Sequence, residues 1–420
     1  MKKRFEVSYL NPKAGAFLKW FYPGMGIKRW IGLASFAVCL LMAGALRFRS
    51  AEYWLIRAFD AVTVFCGIVI LILSVKRLVR SLVSVFVPSS RDTELVDLLY
   101  QRKQLSRGPK IVAVGGGTGL SVLLSGLKEY SSNITAIVTV ADDGGSSGRL
   151  RQQFDILPPG DIRNCLVALA DAPALMRDLF QFRFDKSSEL SGHSFGNLFI
   201  TAMTRVTGDF EKAIKETSKV LALRGQVIPS TLTNVVLAAE YQDGSITVGE
   251  DKIPKARMPI REVRLRPDNP QATPEALRAI EEAQLIILGP GSLYTSIIPN
   301  LLIKEITSAI VASEAVKIYV CNVMTQPGET DNYRLSDHVK TLVRHSHPGI
   351  LNYCVVNTGE IPAQILRRYT QMNAFPVIND RENVHKMGYR VIEDEIALAE
   401  SLIRHDTSRL SRLIIDTIEE

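Results

Sequence analysis

With 420 residues, 46% hydrophobic and 22% charged, the chain has room for one large folded domain and an appendage. Its formal charge of +7 suggests a nucleic-acid partner only until it is mapped: residues 1–110 carry 18 Lys/Arg against 6 Asp/Glu, and the remainder 32 against 37. The excess positive charge flanks two apolar stretches, which excludes a basic nucleic-acid face on the folded domain and favours membrane topology.

Trp30 to Leu46 is 17 residues without a charge, and Ala61 to Val75 is another 15. Each is short of the ~20 residues a spanning helix prefers, but flanking Arg and Lys snorkel and Trp30, Tyr53 and Trp54 supply interfacial rings. The reading is a two-helix transmembrane hairpin, with helices at about 30–47 and 58–76 inside an N-terminal anchor of residues 1–80. Seven Lys/Arg precede the first helix, and four follow the second within about 16 residues. The positive-inside rule then places both termini and the main domain on the cytoplasmic side of the cell membrane. Ala43-Gly44-Ala45 imitates a signal-peptidase site, yet 29 preceding residues are too long an n-region and a second apolar segment follows.

Residues 81–109 read as a linker, with a short acidic helix from about Asp92 and a polar boundary at Ser106-Arg-Gly-Pro109. From residue 110 onwards strands and helices alternate. The first strand, 111–114, runs into Gly115-Gly-Gly-Thr118-Gly-Leu120, and a helix follows over 118–129. The second strand, 134–140, ends at Asp142-Asp143-Gly-Gly. Leu157-Pro-Pro-Gly-Asp161 is a turn leading to an N-cap aspartate and a helix to about Ala170. Helices follow at Ser194–Val206 and 210–223. From Gln226 to Arg266 short alternating runs surround an Asp243-Gly244 hairpin signal, predicting a small β-rich insertion. Strands return at 285–288, 316–323 and 351–356, and a charged amphipathic helix is expected from Ala397. The fold class is α/β: a Rossmann-like, doubly wound, mostly parallel sheet spanning 110–420 with that insertion, preceded by the hairpin.

Glycines at the end of a strand let the backbone approach a ligand, and the next helix aims free N–H groups and its positive dipole end at an anion. Gly289-Pro-Gly291-Ser292 repeats the arrangement, with Ser292 either capping its helix or meeting a phosphate. No lysine completes a Walker loop, and the GxGxxG pattern fails at Leu120 or Val122, so a phosphate-bearing ligand fits better than a nicotinamide cofactor. Asp142 and Asp143 suit a divalent ion such as Mg2+ or sugar hydroxyls, or else serve as ordinary turn residues. Arg149 and Arg163 are candidate phosphate partners, and Asn164 and Asn197 candidate readers of a base or sugar edge. His193 is either an acid/base group or structural. Five cysteines without a CxxC pair indicate buried thiols in a reduced setting. No Ser-His-Asp order, HExxH motif or Cys/His metal spacing is assignable. Catalytic residues therefore stay unassigned, and the balance tilts towards ligand sensing.

These motifs, with Pro158-Pro-Gly-Asp-Ile-Arg163-Asn164, Gly192-His-Ser-Phe-Gly-Asn197 and Cys321-Asn-Val-Met-Thr-Gln-Pro-Gly-Glu-Thr-Asp331, resemble the YvcK/CofD-like family from about residue 110 to 400. The resemblance is closest to the gluconeogenesis-factor branch. It implies binding of a UDP-sugar, notably UDP-N-acetylglucosamine, and regulation that links carbon metabolism to cell-wall precursor supply and cell shape. The CofD branch, which transfers phospholactate from a nucleotide-activated donor, is the alternative. The implied ligand-binding set is Gly115, Gly116, Gly117, Thr118, Gly119, Leu120, Asp142, Asp143, Arg163, Asn164, Asn197, Gly289, Gly291 and Ser292. No tightly bound cofactor is expected. A homo-oligomer and a protein partner in amino-sugar or cell-wall metabolism stay open.

Overall fold

The computed structural model describes residues 27–50, 53–86, 103–185, 189–399 and 402–419. The chain divides into two compact units, Met1–Leu99 and Tyr100–Glu420. The helix expected near Asp92 lies outside the described residues.

In the first unit, α1 (Ile27–Ser50) and α2 (Trp54–Phe86) pack against each other as a hairpin. Both run further than their uncharged cores. Arg29–Phe48 and Trp54–Val79, 20 and 26 residues, are long and apolar enough to cross a membrane. The second helix begins four residues before the predicted 58, at Trp54. Arg47 Nε lies 3.6 Å from the Asp60 carboxylate, which is buried between the helices. Small residues allow the close approach: a Cβ on Gly44 would lie 2.7 Å from Val64, and one on Gly67 2.9 Å from Leu41. Phe36, Met42, Phe59, Val62, Phe65 and Ile72 are exposed, an outer face suited to lipid.

The second unit is built on seven strands: β1 (Ile111–Gly115), β2 (Ile134–Val138), β3 (Gln226–Pro229), β7 (Leu285–Leu288), β8 (Val316–Val320), β9 (Tyr353–Asn357) and β10 (Arg390–Asp394). Their order is β10-β9-β8-β7-β1-β2-β3, and every pairing is parallel. The central strands β1, β2 and β7 are buried along their whole length. A parallel sheet covered on both faces requires this, and their unbroken apolar runs reflect it. Between β1 and β2 lies α3 (Gly117–Leu127). After β2 come α4 (Gly145–Phe154), α5 (Gly160–Leu169), α6 (Ala174–Gln181), α7 (Phe195–Thr207) and α8 (Phe210–Val220). The chain steps outward from β1 to β3, then returns to the other side of β1 with β7. The direction of winding therefore reverses between β1 and β7. In such sheets the ligand crevice lies outside the carboxyl ends of the strands at that reversal.

Two expectations are corrected. Residues 226–229 are not part of the insertion but form the edge strand β3, registered on β2 from Thr135↔Gln226 to Val138↔Pro229. The insertion itself is a three-stranded antiparallel sheet of β4 (Val236–Tyr241), β5 (Ile246–Val248) and β6 (Ile260–Arg266), with the Asp-Gly turn at Gly244 joining β4 and β5. The terminal helix does not start at Ala397: β11 (Ala397–Ala399) pairs antiparallel with β12 (Ile403–His405), and the helix runs from Thr407 to Glu419. Each strand is three residues long, too short to show alternation against the good helix formers in Ala397-Leu-Ala-Glu-Ser.

Candidate functional site

The turn after β1 and the turn after β7 meet at the reversal point. Gly289 N–H donates to the Val114 carbonyl at 2.9 Å, aligning the two strand ends. A Cβ on Gly119 would lie 2.6 Å from the Pro290 carbonyl oxygen, and one on Gly291 3.2 Å from the Gly116 oxygen. Gly117 adopts φ +69°, where a side chain is strained. Asn300 Nδ2, buried, donates to the carbonyls of Gly115 (3.1 Å) and Ser296 (2.8 Å), tying the first turn to the helical segment that follows the second. That segment opens with a π-helical turn, Leu293–Ile297.

These turns form one wall of a cavity of 610 Å³. Gly117, Thr118, Gly119, Gly291 and Ser292 line it, with Thr295 and Ser296 adding hydroxyls. Ser292 does not cap its helix. Its Oγ accepts a hydrogen bond from Gln326 Nε2 at 2.7 Å, while Asn322 Nδ2 donates to the Gly291 carbonyl at 2.8 Å. Both amides come from the motif that starts at Cys321, and both hold the second turn in place. Leu120 faces the other way, wholly buried in the core, so it packs rather than lines.

Carboxylates form the floor. Asp142 lines the cavity and its Oδ1 accepts from Gly144 N–H at 2.9 Å. Asp143 does not line it: its carboxylate accepts from Asp251 N–H at 3.0 Å and thereby latches the β-insertion. The expected pair is therefore split between two tasks. Among the described residues no group of three or more His, Cys, Asp or Glu is disposed to hold a metal ion. Asp161 is not the N-cap of α5, a position occupied by Pro159. Its carboxylate instead accepts the Gly117 N–H, and a Cβ on Gly116 would lie 2.5 Å from it. Burial, then the nearby Asp142 charge, push Asp161 up to about 7. Glu250, carried by the insertion, is pushed up to about 8 by burial and by Asp142, Asp161 and Glu329. Burial raises Glu329 to about 7.

The opposite wall comes from the C-terminal part of the chain: Tyr369, Met372 and Ala374 from the helix Ala363–Gln371 and the turn after it, and Ile403, Arg404 and His405 from β12. Ile403 N–H donates to the Tyr369 hydroxyl at 2.9 Å. His405 Nε2 donates to the Cys321 carbonyl at 3.2 Å, and burial lowers its ring to about 4, so it is neutral. Arg404 is then the only cation among the described residues lining the cavity, which the carboxyls of Asp142, Asp161 and Glu250 also line. Arg163, Asn164 and Asn197 do not line it. They lie around the first turns of α5 and α7, where Arg163 Nη2 donates to Asn164 Oδ1 at 2.6 Å.

Comparison with known proteins now decides the relationship. The profile of the family described as 2-phospho-L-lactate transferase CofD matches residues 111–397. A Bacillus subtilis protein named gluconeogenesis factor is 51% identical over 75% of this chain and 100% of its own length. This chain belongs to the CofD-like family, in its gluconeogenesis-factor branch. A Halalkalibacterium halodurans gluconeogenesis factor is 48% identical over 73% of this chain and 95% of its own. The crystal structure of a UPF0052 family member from Bacillus halodurans superposes with a TM-score of 0.71 at 47% identity, covering 73% of this chain and 99% of that one. The CofD profile ends before β12, so Arg404 lies beyond it while Tyr369 and Met372 of the same wall lie within it, and the match to the Bacillus subtilis gluconeogenesis factor takes in that factor's full length.

Sequence reasoning missed Asp161 as a site residue, Glu250, Tyr369, Met372 and Arg404. Asn322 and Gln326 sat in a recognised motif without an assigned role. Tyr369 and Arg404 give no signal, because neither stands in a glycine turn or a recognised motif.

Proposed function

We propose that this gluconeogenesis-factor family member is a membrane-anchored, cytoplasm-facing regulator that binds a UDP-sugar, UDP-N-acetylglucosamine first, and links carbon metabolism to cell-wall precursor supply and cell shape. The observation that carries the reading is the cavity at the winding reversal, framed by two glycine turns whose backbone N–H groups, other than those of Gly117 and Gly289 that bond Asp161 and Val114, suit a diphosphate. Within it, Gly115, Gly116, Gly117, Thr118, Gly119, Gly289, Gly291 and Ser292 shape the diphosphate cradle. Asp142 meets the sugar hydroxyls or a Mg2+ brought with the ligand, a metal that keeps several waters and needs only one or two carboxylates. Asp143 supports it from the insertion latch, and Tyr369 and Arg404 close over the distal end. The charge asymmetry and the two spanning-length helices support the anchor and its orientation.

Calorimetric titration with UDP-N-acetylglucosamine, UDP-glucose, GDP and NAD tests the ligand class. The expected result is saturable binding of UDP-sugars; tight GDP binding without any UDP-sugar response would instead favour a transferase of the CofD type. That second reading has its own support in the family profile and in cavity carboxyls poised near neutrality, suited to proton transfer. Alkaline carbonate washing tests the anchor: quantitative release of the full-length protein would sink it.

A further inference from the structure

The two helices of the hairpin keep one antiparallel register from end to end. Arg47 reaches Asp60, a Cβ on Gly44 would meet Val64, and one on Gly67 would meet Leu41. At the far end the Arg77 guanidinium lies over the Trp30 ring, 4.8 Å from its centroid. Carried one step further, the same register sets Arg29 opposite Leu78 and Lys28 opposite Val79. Lys28, Arg29, Lys76, Arg77 and Arg80 therefore fall within four residues of helix rise, a layer ~6 Å deep.

The two ends of the hairpin differ in how their charge is met. At the turn end Arg47, Arg49 and Arg57 are accompanied in the sequence by Glu52 and Asp60. At the open end the five cations have no acid beside them, because Asp60 is the only acidic residue in either helix. Arg29, Lys76 and Arg77 are exposed there. The apolar spans begin at Arg29 and end at Val79, while α2 continues to Phe86. In a bilayer the cation layer thus lies at headgroup level, where the indole of Trp30 also belongs. With its flat face on that ring, Arg77 keeps its edge N–H groups for other partners, and a guanidinium so placed suits two oxygens of one phosphate.

We propose that this layer, Lys28, Arg29, Lys76, Arg77 and Arg80 around Trp30, is a binding site for the headgroup phosphate of an acidic phospholipid. The proposal rests on the membrane-anchor part of the proposed function and is independent of the nucleotide ligand. A zwitterionic headgroup brings its own ammonium into the layer, whereas an anionic one supplies the missing counter-charge. Each cation near an anionic surface is worth about fivefold in that attraction.

The test uses the full chain in bilayer nanodiscs of phosphatidylcholine and phosphatidylglycerol, four parts to one, with bromine on the acyl chains of one lipid or the other. Trp20→Phe/Trp54→Phe leaves Trp30 as the reporter, and Trp20→Phe/Trp30→Phe leaves Trp54 to report on the turn end. Quenching by each brominated lipid gives the association constant of phosphatidylglycerol relative to phosphatidylcholine. At Trp30 it should be at least about fivefold, and at Trp54 below about twofold. Lys76→Gln/Arg77→Gln should bring the Trp30 value below about twofold with unchanged helicity by circular dichroism. Arg29→Gln should lower it by a smaller factor, which keeps the test valid if the double variant does not insert. Arg77→Lys, which keeps the charge and loses the stacked fork, should also lower it; diffuse surface attraction would leave it unchanged. A value near one at Trp30 with clear quenching by both lipids would mean that the layer is neutralised within the chain, overturning the site and leaving the anchor. A preference that survives the double variant, or is unchanged in Arg77→Lys, would overturn it as well. Quenching by neither lipid would remove the anchor and the site together.

Discussion

The two walls of the cavity are made in opposite ways. The wall between β1 and β7 is backbone: Gly117 at positive φ, and Gly119 and Gly291 at van der Waals range of the other turn, where almost any side chain would be an intrusion. The wall formed by Tyr369, Met372 and Arg404 is side chain, carried on a helix and a short hairpin far along the chain. On the proposed function, the backbone wall meets what all nucleotide ligands share, the phosphates, and the side-chain wall, which can change residue by residue without disturbing the sheet, sets selectivity.

Breaking the first wall should have the largest effect. Gly119→Val drives its Cβ into the Pro290 carbonyl, and overpacking of this kind costs ~1–3 kcal/mol. Nucleotide-sugar binding should vanish in calorimetry, with a lowered but cooperative melt. Gly117→Val should also abolish binding, through strain of ~1–3 kcal/mol at φ +69° rather than through a clash, since only Ser296 Oγ lies nearby at 3.4 Å. Wild-type affinity in either variant would put the ligand elsewhere.

The second wall should break more selectively. Arg404→Ala removes the one cation among the described residues lining the cavity and, on the proposed function, should weaken UDP-sugar binding by about ten- to a hundredfold with an unchanged melt, the loss expected for a charge-assisted contact. A loss of stability in place of affinity would assign Arg404 to folding.

Affinity should also fall with pH, because the floor charges as the pH rises. Glu250 titrates near 4.5 when unfolded and at about 8 in the fold, so its neutral form favours the fold below 4.5 and that advantage is lost as pH rises through 8. Asp161 does the same between 3.8 and about 7. In magnesium-free buffer an anionic ligand should bind several-fold more weakly at pH 9 than at pH 6, since about one unit of differential interaction is a tenfold change. Glu250→Gln should flatten the profile, and Asp142→Asn should remove any magnesium dependence. The smallest effect is expected from Ser292→Ala, which loses the Gln326 bond and not a helix cap, and should cost ~0.5–1.5 kcal/mol in a denaturant melt.

The same contrast explains what could be read in the sequence. Strands β1, β2 and β7 announce themselves as apolar runs ending in glycine or paired aspartates, because a covered parallel sheet and a tight turn leave local marks. So does the Asp243-Gly244 turn. Asp161 reads as a cap because an aspartate after Pro-Pro-Gly resembles one, while its actual partner, the Gly117 N–H, is distant in sequence. Strand β10, Arg390–Asp394, with its charged ends and no fully buried residue, carries no core signature. Leu120 followed the glycines in the motif and was swept into the site, although a helix turns its residues by about 100° each, here into the core.

Gly126 lies against the last helix so tightly that a Cβ there would come within 2.3 Å of Ser411 Oγ and 2.6 Å of the Thr407 carbonyl oxygen. The helix that begins at the first glycine turn, α3, is thus seated on the helix Thr407–Glu419. Residues 403–405 supply part of the cavity lining and residues 407–411 the seat of α3, so one short stretch serves both the pocket wall and the footing of the turn opposite it in sequence. A chain cut before residue 403 would keep both glycine turns and lose the seat of α3 together with the Arg404 side of the cavity.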